Sequence, residues 1–237
     1  MDRSIYVALS GASMLEKRLE LIANNLANAA TAGFKKQRPL FTVESPDAAG
    51  LRSFVTGLSV VNDMSQGPLV KTDNVLDLAI EGDGFFTVET PYGIRYTRQG
   101  SFRLDADGRL TTADGHPVLG DKGVIKLTTP GVNIDSAGNV EVDGVVVARL
   151  RIGRFDDPGA LRKEGGLYSA DGTGMEELKA GDGVRVLQGY QEKSNVNVVR
   201  QMVAMIEVSR SYETQSKVIE AMDDEARKAV NEVGRTS

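Results

Sequence analysis

Residues 190–233 read YQEKSNVNVVRQMVAMIEVSRSYETQSKVIEAMDDEARKAVNEV and contain neither glycine nor proline. Within this stretch, mostly apolar side chains recur at alternating spacings of three and four residues, the spacing of one face of a long helix. This C-terminal seam includes Val198, Met205, Val208, Tyr212, Ile219 and Met222. The pattern predicts a C-terminal helix within residues 190–237, whose seam-bearing part is roughly 55 Å long at about 1.5 Å per residue.

A second stretch without glycine or proline, ASMLEKRLELIANNLANAATA, covers residues 12–32. Apolar residues with the same alternating spacing start just before it and continue to Ala29. This N-terminal seam includes Ile5, Ala8, Ala12, Leu15, Leu19, Ile22 and Leu26. We predict an N-terminal helix within residues 1–34 that is stopped by Gly33, because glycine commonly follows the last turn of a helix.

Two such helices would each leave an apolar stripe in water unless something covers it. The continuous seams favour coiled-coil packing against the other terminal helix or against another subunit. The alternative is a self-contained hairpin of the two helices with no partner. Two helices make a thin core and leave much apolar surface wet, so we expect a second subunit to contribute.

The residues between the two helices are rich in turns. Of the 26 glycines, 20 lie between Gly82 and Gly189, and six Asp-Gly dipeptides supply the positive φ angles that tight hairpins need. Val140 and Val142 before Asp143-Gly144, with Val145 and Val147 after it, predict a hairpin with one inward apolar face. We therefore predict an antiparallel β-domain at residues 76–189, preceded by an extended linker arm at residues 35–75.

The predicted fold class is thus α+β, with long N- and C-terminal coiled-coil helices flanking an antiparallel β-domain. The chain has 28 Lys plus Arg against 33 Asp plus Glu, a net charge of −5, and so lacks the positive field that draws proteins to nucleic acid. The longest uncharged stretch near the N-terminus is too short and too polar to span a membrane. We expect no nucleic-acid partner, no direct membrane insertion and no cleaved signal peptide.

Candidates for catalysis or metal binding are few, and each has a structural explanation. The single histidine, His116, lies in a turn sequence, and the carboxylate pairs Glu81 with Asp83 and Asp156 with Asp157 are typical of turns and surfaces. A calcium loop starting at Arg103 has the wrong residue type at its first ligand position. The chain has no cysteine. The sequence predicts no catalytic residue, no cofactor and no metal site.

A basic cluster, Lys35-Lys36-Gln37-Arg38, follows the predicted N-terminal helix. We interpret it as a solvated face or as a favourable partner of the negative end of the helix dipole.

Several segments together resemble the signatures of the bacterial flagellar rod and hook axial proteins. At the N-terminal end they are Met1-Asp2-Arg3-Ser4-Ile5-Tyr6, Ala23-Asn24-Asn25-Leu26-Ala27-Asn28 and Thr31-Ala32-Gly33-Phe34-Lys35. In the middle they are Asp77-Leu78-Ala79-Ile80-Glu81-Gly82-Asp83-Gly84-Phe85-Phe86 and Tyr96-Thr97-Arg98-Gln99-Gly100-Ser101-Phe102. At the C-terminal end they are Leu187-Gln188-Gly189-Tyr190, Ser194-Asn195-Val196-Asn197-Val198, Met202-Val203-Ala204-Met205-Ile206 and Arg210-Ser211-Tyr212-Glu213. The opening and the short length are most like those of the proximal-rod members, with the distal-rod members as the nearest alternative.

This resemblance implies a nonenzymatic subunit of the periplasmic rod of the flagellar basal body. Members of the family are exported unfolded through the flagellar type III apparatus, and their terminal helices form a tube wall around the export channel. The implied partners are copies of the chain itself, other rod proteins and that export apparatus. The opposing hypothesis, from the residues alone, is a secreted carbohydrate-active or calcium-binding β-domain with helical appendages.

The resemblance also extends the set of candidate subunit-interface residues beyond the two seams. Asn24, Asn25 and Asn28 would place side-chain amides where neighbouring subunits can accept hydrogen bonds, with a polar solvent face as the alternative. Phe34 would act as an anchor. Arg210 and Glu213 lie one helical turn apart and would pair locally or across subunits.

Overall fold

The computed structural model describes residues 2–44, 54–127, 131–170, 174–178 and 183–233, without the side chains of 2–5, 42–44, 54–58, 160 and 229–233. It has an N-terminal helix α1 (Asp2–Ala27), a series of short antiparallel strands, and a C-terminal helix α2 (Val198–Val233). The α+β class and the order of helix, β-structure and helix are therefore confirmed. None of the described helices has the length and hydropathy needed to cross a membrane.

Nineteen strands lie between the helices in the described part of the chain, with one short 3-10 helix at Pro158–Ala160. In chain order they are β1 (Gln37–Glu44), β2 (Phe54–Asn62), β3 (Leu69–Lys71), β4 (Leu78–Glu81), β5 (Phe85–Thr90), β6 (Gly93–Thr97), β7 (Arg103–Leu104), β8 (Leu110–Thr111), β9 (Leu119–Gly120), β10 (Gly123–Val124), β11 (Val132–Ile134), β12 (Asn139–Val142), β13 (Val145–Arg149), β14 (Ile152–Phe155), β15 (Arg162–Glu164), β16 (Leu167–Ser169), β17 (Met175–Glu177), β18 (Arg185–Gln188) and β19 (Tyr190–Glu192).

The chain divides into two compact units, and the first contains both helices. It comprises residues 1–27, 37–60 and 197–237, so that the paired strands β1 and β2 belong with the helices. Within it α1 packs against α2, with Ala8, Ile22 and Val208 buried. The side-chain amide of Gln215 donates a hydrogen bond of 3.0 Å to the carbonyl oxygen of Ala8. The two seams therefore cover each other, at least in part, within a single chain.

The second unit, which we call the β-unit, comprises residues 28–36 and 61–196 and holds the main hydrophobic core. Its largest sheet has six antiparallel strands in the order β15-β16-β6-β5-β14-β17. Leu78, Phe86, Leu110, Val118 and Val140 are fully buried in the core. A smaller cluster of mainly aromatic residues contains Phe85, Tyr96, Phe155, Leu161 and Tyr168.

The predicted hairpin around Asp143-Gly144 is present, but one part of its pattern is wrong. Asp143 (φ 51°) and Gly144 (φ 80°) both have positive φ, and Val142 pairs with Val145 across the turn. Val140 and Val142 are buried as expected, whereas Val145 and Val147 are exposed. Strand β13 is an edge of its three-stranded sheet, and the register shifts between Val140 and Glu141, so the inward alternation does not continue past the turn.

The C-terminal helix starts later than the absence of glycine and proline suggested. Tyr190–Glu192 form strand β19, which pairs antiparallel with β3, and α2 starts only at Val198. The side chain of Asn197 accepts a hydrogen bond from the backbone N–H of Arg200 at 3.0 Å, which is the geometry of a helix N-cap. This cap sets the start of α2, and Tyr190–Glu192 pair with β3 as a strand instead of extending the helix.

The N-terminal helix ends earlier than expected, at Ala27, and Ala29 lies in the turn that follows. Gly33 has a φ of +66°, as a chain reversal requires. The residues expected to form a linker arm at 35–75 instead divide between the two units, since 37–60 belong to the first unit, and 35–36 and 61–75 to the second.

Candidate functional site

A buried cluster of three charged side chains lies in the second unit, where segments distant in sequence meet. The ammonium of Lys35 contacts the carboxylate of Glu192 at 2.6 Å, and the guanidinium of Arg98 contacts the same carboxylate at 3.4 Å. All three residues are almost completely buried. We call Lys35, Arg98 and Glu192 the buried triad.

Backbone groups add further hydrogen bonds to the buried triad, although the buried Nε of Arg98 has no partner among the described residues. Lys35 also donates to the carbonyl oxygen of Ser65 at 2.8 Å, and Arg98 donates to that of Gly82 at 2.7 Å. Glu192 accepts a further bond of 2.8 Å from the N–H of Gly67. Buried charges are tolerated when they are paired and hydrogen-bonded in this way. The ion pairs and hydrogen bonds of the triad thus connect four loops and one strand.

Burial has the largest effect on the pKa values of the two cations of the triad, and pairing with Glu192 has a smaller, opposite effect. Removal from water lowers the pKa of Lys35, and the neighbouring Glu192 carboxylate offsets part of this effect. Burial likewise lowers the pKa of Arg98, again against the attraction of Glu192. Two cations face one buried anion, so loss of the anion would leave two positive charges uncompensated.

Gly33 and Phe34 fix the chain beside the triad. The N–H of Gly33 donates to the backbone carbonyl of Glu192 at 2.7 Å. A Cβ at Gly33 would lie 2.5 Å from the carbonyl carbon of Arg98, so only glycine fits. Phe34 is buried, and the ammonium of Lys163 lies 3.5 Å from the centroid of its ring. Phe34 is thus an anchor within its own chain.

Asn195 joins the segment after α1 to the segment before α2. Its side-chain oxygen accepts from the N–H of Lys36 at 2.8 Å, and its amide donates to the carbonyl oxygens of Asp63 and Ser65 at 2.8 and 3.0 Å. Together with the triad, these bonds hold residues 33–36 against residues 192–195, and we call this contact the junction. The arrangement offers no reacting group and serves to lock the ends of the β-unit together.

The sequence alone did not predict the buried triad. The interpretation of Lys35 as part of a solvated face is wrong, because Lys35 has no exposed surface. Charge patterning cannot distinguish a buried lysine from a solvated one. The available signal was that each of the segments Thr31–Lys35 and Tyr96–Gly100, which resemble family signatures, carries a single cation.

The three asparagines proposed for subunit contacts differ from one another in the structure. Asn25 is buried, and its side chain both accepts from the N–H and donates to the carbonyl of Gln37, at 2.8 Å each. Its amide is therefore used inside the chain, where it joins α1 to β1. Asn24 is exposed, and Asn28 is half-buried and accepts a hydrogen bond from the hydroxyl of Thr31 at 3.3 Å.

The seam residues differ in their degree of burial. Ala8, Ile22 and Val208 are buried, and the side chain of Ile5 lies outside the described residues. Half-buried positions are Ala12, Leu15, Leu19, Leu26, Ile219 and Met222. Val198, Met205 and Tyr212 keep more than a third of their surface exposed, and Arg210 and Glu213 are exposed.

A second apolar stripe on α2 was not identified from the sequence. Val199, Met202, Val203 and Ile206 are related by spacings of three and four residues, and each has between 49% and 70% of its surface exposed. They lie on the face of α2 opposite the seam, and we call these four residues the outer stripe. Seam spacing alone singled out the inner face, so the outer one was overlooked.

The candidates for other chemistry are accounted for by local contacts. Glu81 pairs with Arg185 at 2.6 Å, and Asp157 accepts from the N–H of Gly159 at the start of the 3-10 helix. Asp105 in the calcium-like loop accepts from the backbone N–H groups of Asp107 and Arg109. In the described ranges, no group of three or more His, Asp or Glu side chains is arranged to hold a metal ion.

Comparison with known families gives three matches along the chain. Residues 5–35 match the model described as flagella basal body rod protein, residues 79–142 the flagellar hook protein FlgE/F/G D1 domain, and residues 187–232 the flagellar basal body rod FlgEFG protein C-terminal domain. The first and third models meet at the buried triad, since they contribute Lys35 and Glu192.

Individual relatives extend the similarity to the whole chain. FlgF of Caulobacter vibrioides is 34% identical over 244 residues that cover 99% of both chains, and FlgF of Escherichia coli is 33% identical over 246 residues, 97% of both. FlgG of Buchnera aphidicola from Acyrthosiphon pisum is 35% identical over 257 residues, which cover 96% of this chain and 98% of the relative. The chain belongs to the flagellar basal-body rod protein family.

Membership of this family establishes the general role of the chain. It is a structural subunit of the basal-body rod and not an enzyme, and within the rod family it is most like FlgF. As a rod protein it assembles with other rod components.

Proposed function

We propose that the chain is a proximal-rod subunit whose terminal helices pack with those of neighbouring subunits into a helical tube, which transmits torque and surrounds the export channel. Its partners are copies of itself, the adjoining rod proteins, and the flagellar type III export apparatus that delivers it. A distal-rod or hook-type position is the alternative, supported by the 35% identity to a FlgG.

The outer stripe of α2 is the observation that carries this proposal. The helices already pair within one chain, yet Val199, Met202, Val203 and Ile206 remain exposed. Soluble monomers rarely leave a contiguous apolar stripe in water, and its usual explanation is a partner surface. Packing of this stripe against another subunit would bury it without disturbing the α1–α2 pair.

Of the residues first proposed for the interface, the half-exposed seam positions and the exposed Asn24, Arg210 and Glu213 suit subunit contacts. Ala8, Ile22, Val208, Asn25 and Phe34 support the proposal indirectly, since they hold the helices and the junction in the shape that assembly needs.

The test is to replace Val203 with Asp in the native strain and to isolate basal bodies. The Val203→Asp chain should be made and exported but should be missing from the rod, and the cells should not swim, because a charge would be buried at the subunit contact. Thr214→Asp, at an exposed polar position of the same helix, is the matched control and should assemble. Motile cells whose basal bodies contain Val203→Asp would overturn the proposal.

A further inference from the structure

The Asp143-Gly144 dipeptide forms the tip of the hairpin between β12 and β13, and both of its residues are exposed. No described residue accepts a hydrogen bond from the backbone N–H of Gly144. A Cβ placed on Gly144 would have no atom within 4 Å in the described part of the chain, apart from its chain neighbours. The backbone nitrogen of Gly144 is therefore unbonded and has open space around it.

An Asp-Gly sequence can rearrange without an enzyme. The glycine nitrogen attacks Cγ of the aspartic acid, so that an N–C bond forms, a C–O bond breaks, and the N–H proton leaves with the carboxyl oxygen as water. The product is a five-membered succinimide. Water then adds back and opens the ring at the main-chain carbonyl, which leaves the chain running through the side chain as isoaspartate. Glycine hinders the attack least because it has no side chain.

The fold decides which Asp-Gly dipeptides can react, because the glycine nitrogen must be free and both residues must rotate. Gly108 and Gly115 each donate their N–H to a carbonyl oxygen in their own turn, at 3.1 and 3.0 Å. Gly84 is buried, and a Cβ on it would lie 2.7 Å from Cγ2 of Ile152, so its surroundings are closely packed. The other two dipeptides of this kind lie wholly or partly outside the described residues.

The hairpin of Asp143 is weakly held near its tip. Strand β13 is the edge of its sheet, and among the described strands it pairs with β12 alone. Only the pairs Val142 with Val145 and Glu141 with Val146 separate the turn from the register shift. Val145 and Val146 are also exposed. Asp143 has a φ of 51°, a conformation that a residue with a side chain adopts at a cost, so its backbone preference does not oppose rotation.

We propose that Asp143 is a site of spontaneous isoaspartate formation and the most reactive of the four Asp-Gly dipeptides that the structure describes completely. The nucleophile is the backbone nitrogen of Gly144, and water is the only other reactant. The isoaspartyl linkage adds one carbon atom to the main chain between Val142 and Val145, the pair that closes the hairpin. Its effect is therefore confined to the end of the three-stranded sheet, and the inference does not depend on the proposed rod function.

Ageing of the purified full chain near neutral pH tests this proposal, with the other dipeptides as internal references. Samples are digested, and electron-transfer mass spectrometry distinguishes aspartyl from isoaspartyl linkages at each site. We expect the isoaspartyl fraction at Asp143 to grow several times faster than those at Asp83, Asp107 and Asp114. In the chain unfolded by guanidinium chloride the four fractions should grow at similar rates, because each aspartate is followed by glycine and the protection by the fold is lost.

The variant Asp143→Glu is the matched control, since its longer side chain does not form the five-membered ring. Its peptide should show no isomer, and the rates at the other three sites should not change. An isoaspartyl fraction at Asp143 that grows no faster than the others in the folded chain would overturn the inference. The same ranking in folded and unfolded chains would also overturn it, because local sequence and not the fold would then set the rates.

Discussion

At the scale of single residues, Glu192 is the anion on which the junction depends. Its carboxylate contacts Lys35 at 2.6 Å and Arg98 at 3.4 Å, with all three side chains removed from water. A buried ion pair adds little net stability compared with apolar packing, but loss of one partner is costly because the other charge stays buried and unpaired.

Replacement of Glu192 by Gln should therefore lower the free energy of unfolding of the β-unit by about 3 kcal/mol or more. The change keeps the shape of the side chain, removes its charge and replaces one acceptor oxygen by an NH2 donor. Urea unfolding followed by near-UV circular dichroism of the tyrosines measures the loss. Glu176→Gln is the matched control: its pair with Arg154 is exposed, so the change should cost under about 1 kcal/mol. Equal losses in the two variants would contradict the role assigned to the triad.

The contribution of Asp63 to the stability of the junction depends on pH. Partial burial alone raises the pKa of this carboxyl, but hydrogen bonds from Ser65 and Lys36 outweigh the effect and hold the pKa at about 2, below the usual 3.8. The unfolded chain then takes up a proton at higher pH than the folded chain does. Stability contributed by Asp63 is complete above about pH 4 and is lost as the pH falls toward about 2.

Asp63→Asn should remove this part of the acid dependence. The difference in unfolding free energy between native chain and variant should be largest near neutral pH, at about 1 to 2 kcal/mol, and should shrink between about pH 4 and pH 2. Urea titrations at several pH values provide the measurement. A difference that stays constant across that range would show that the Asp63 carboxylate is not specially stabilised in the folded chain.

At the scale of elements, α2 has two apolar faces with different tasks. The inner face, which includes Val208 and Ile219, packs toward α1, and the outer face carries the exposed stripe. Local propensity alone rarely stabilises a helix of 36 residues, so tertiary contacts on the inner face are needed to hold it.

Ile219→Asp should block incorporation into the rod and leave the β-unit unchanged. The substitution places a charge on the half-buried inner face of α2, whereas the main core of the β-unit lies entirely within residues 78–186. Basal-body content measures incorporation, and thermal unfolding of the purified chain, followed by the near-UV signal of the tyrosines, measures the β-unit. Full incorporation of this variant, or a lowered melting temperature of the β-unit, would refute the assignment of Ile219 to the seam between the helices.

At the scale of the whole molecule, the boundary of the β-unit is set by contacts more than by composition. Composition suggested residues 76–189, whereas the unit comprises residues 28–36 and 61–196. The difference includes Lys35 and Glu192, so the shorter segment would contain Arg98 without its anion.

A fragment of residues 28–196 should consequently fold cooperatively, and a fragment of residues 76–189 should be clearly less stable. The shorter fragment loses the β3–β19 pair and two members of the buried triad. Differential scanning calorimetry compares the two, and the longer fragment should melt at least several degrees higher, as expected for a difference of 1 kcal/mol or more. Matching melting temperatures would mean that the junction contributes nothing to the β-unit.

The sequence by itself determined the features that depend on neighbours along the chain. The seam spacing predicted the two helices, and the dipeptide Asp143-Gly144 predicted a hairpin turn. Gly33 predicted the end of the N-terminal helical segment. These hold because backbone conformation at a turn and the faces of a helix are set within a few residues. The resemblance of the signature segments to those of the flagellar rod and hook proteins predicted the family.

Tertiary structure decided which groups are buried and what they contact. In the sequence, Lys35 is one of several cations that follow a helix. It is part of a buried ion-pair cluster only because the fold brings Arg98 and Glu192, which are 63 and 157 residues away, next to it. The side chain of Asn25 forms hydrogen bonds with the backbone of Gln37, and Tyr190–Glu192 form a strand because they pair with β3. Burial and strand pairing bring together residues far apart in sequence, so no local pattern specifies them.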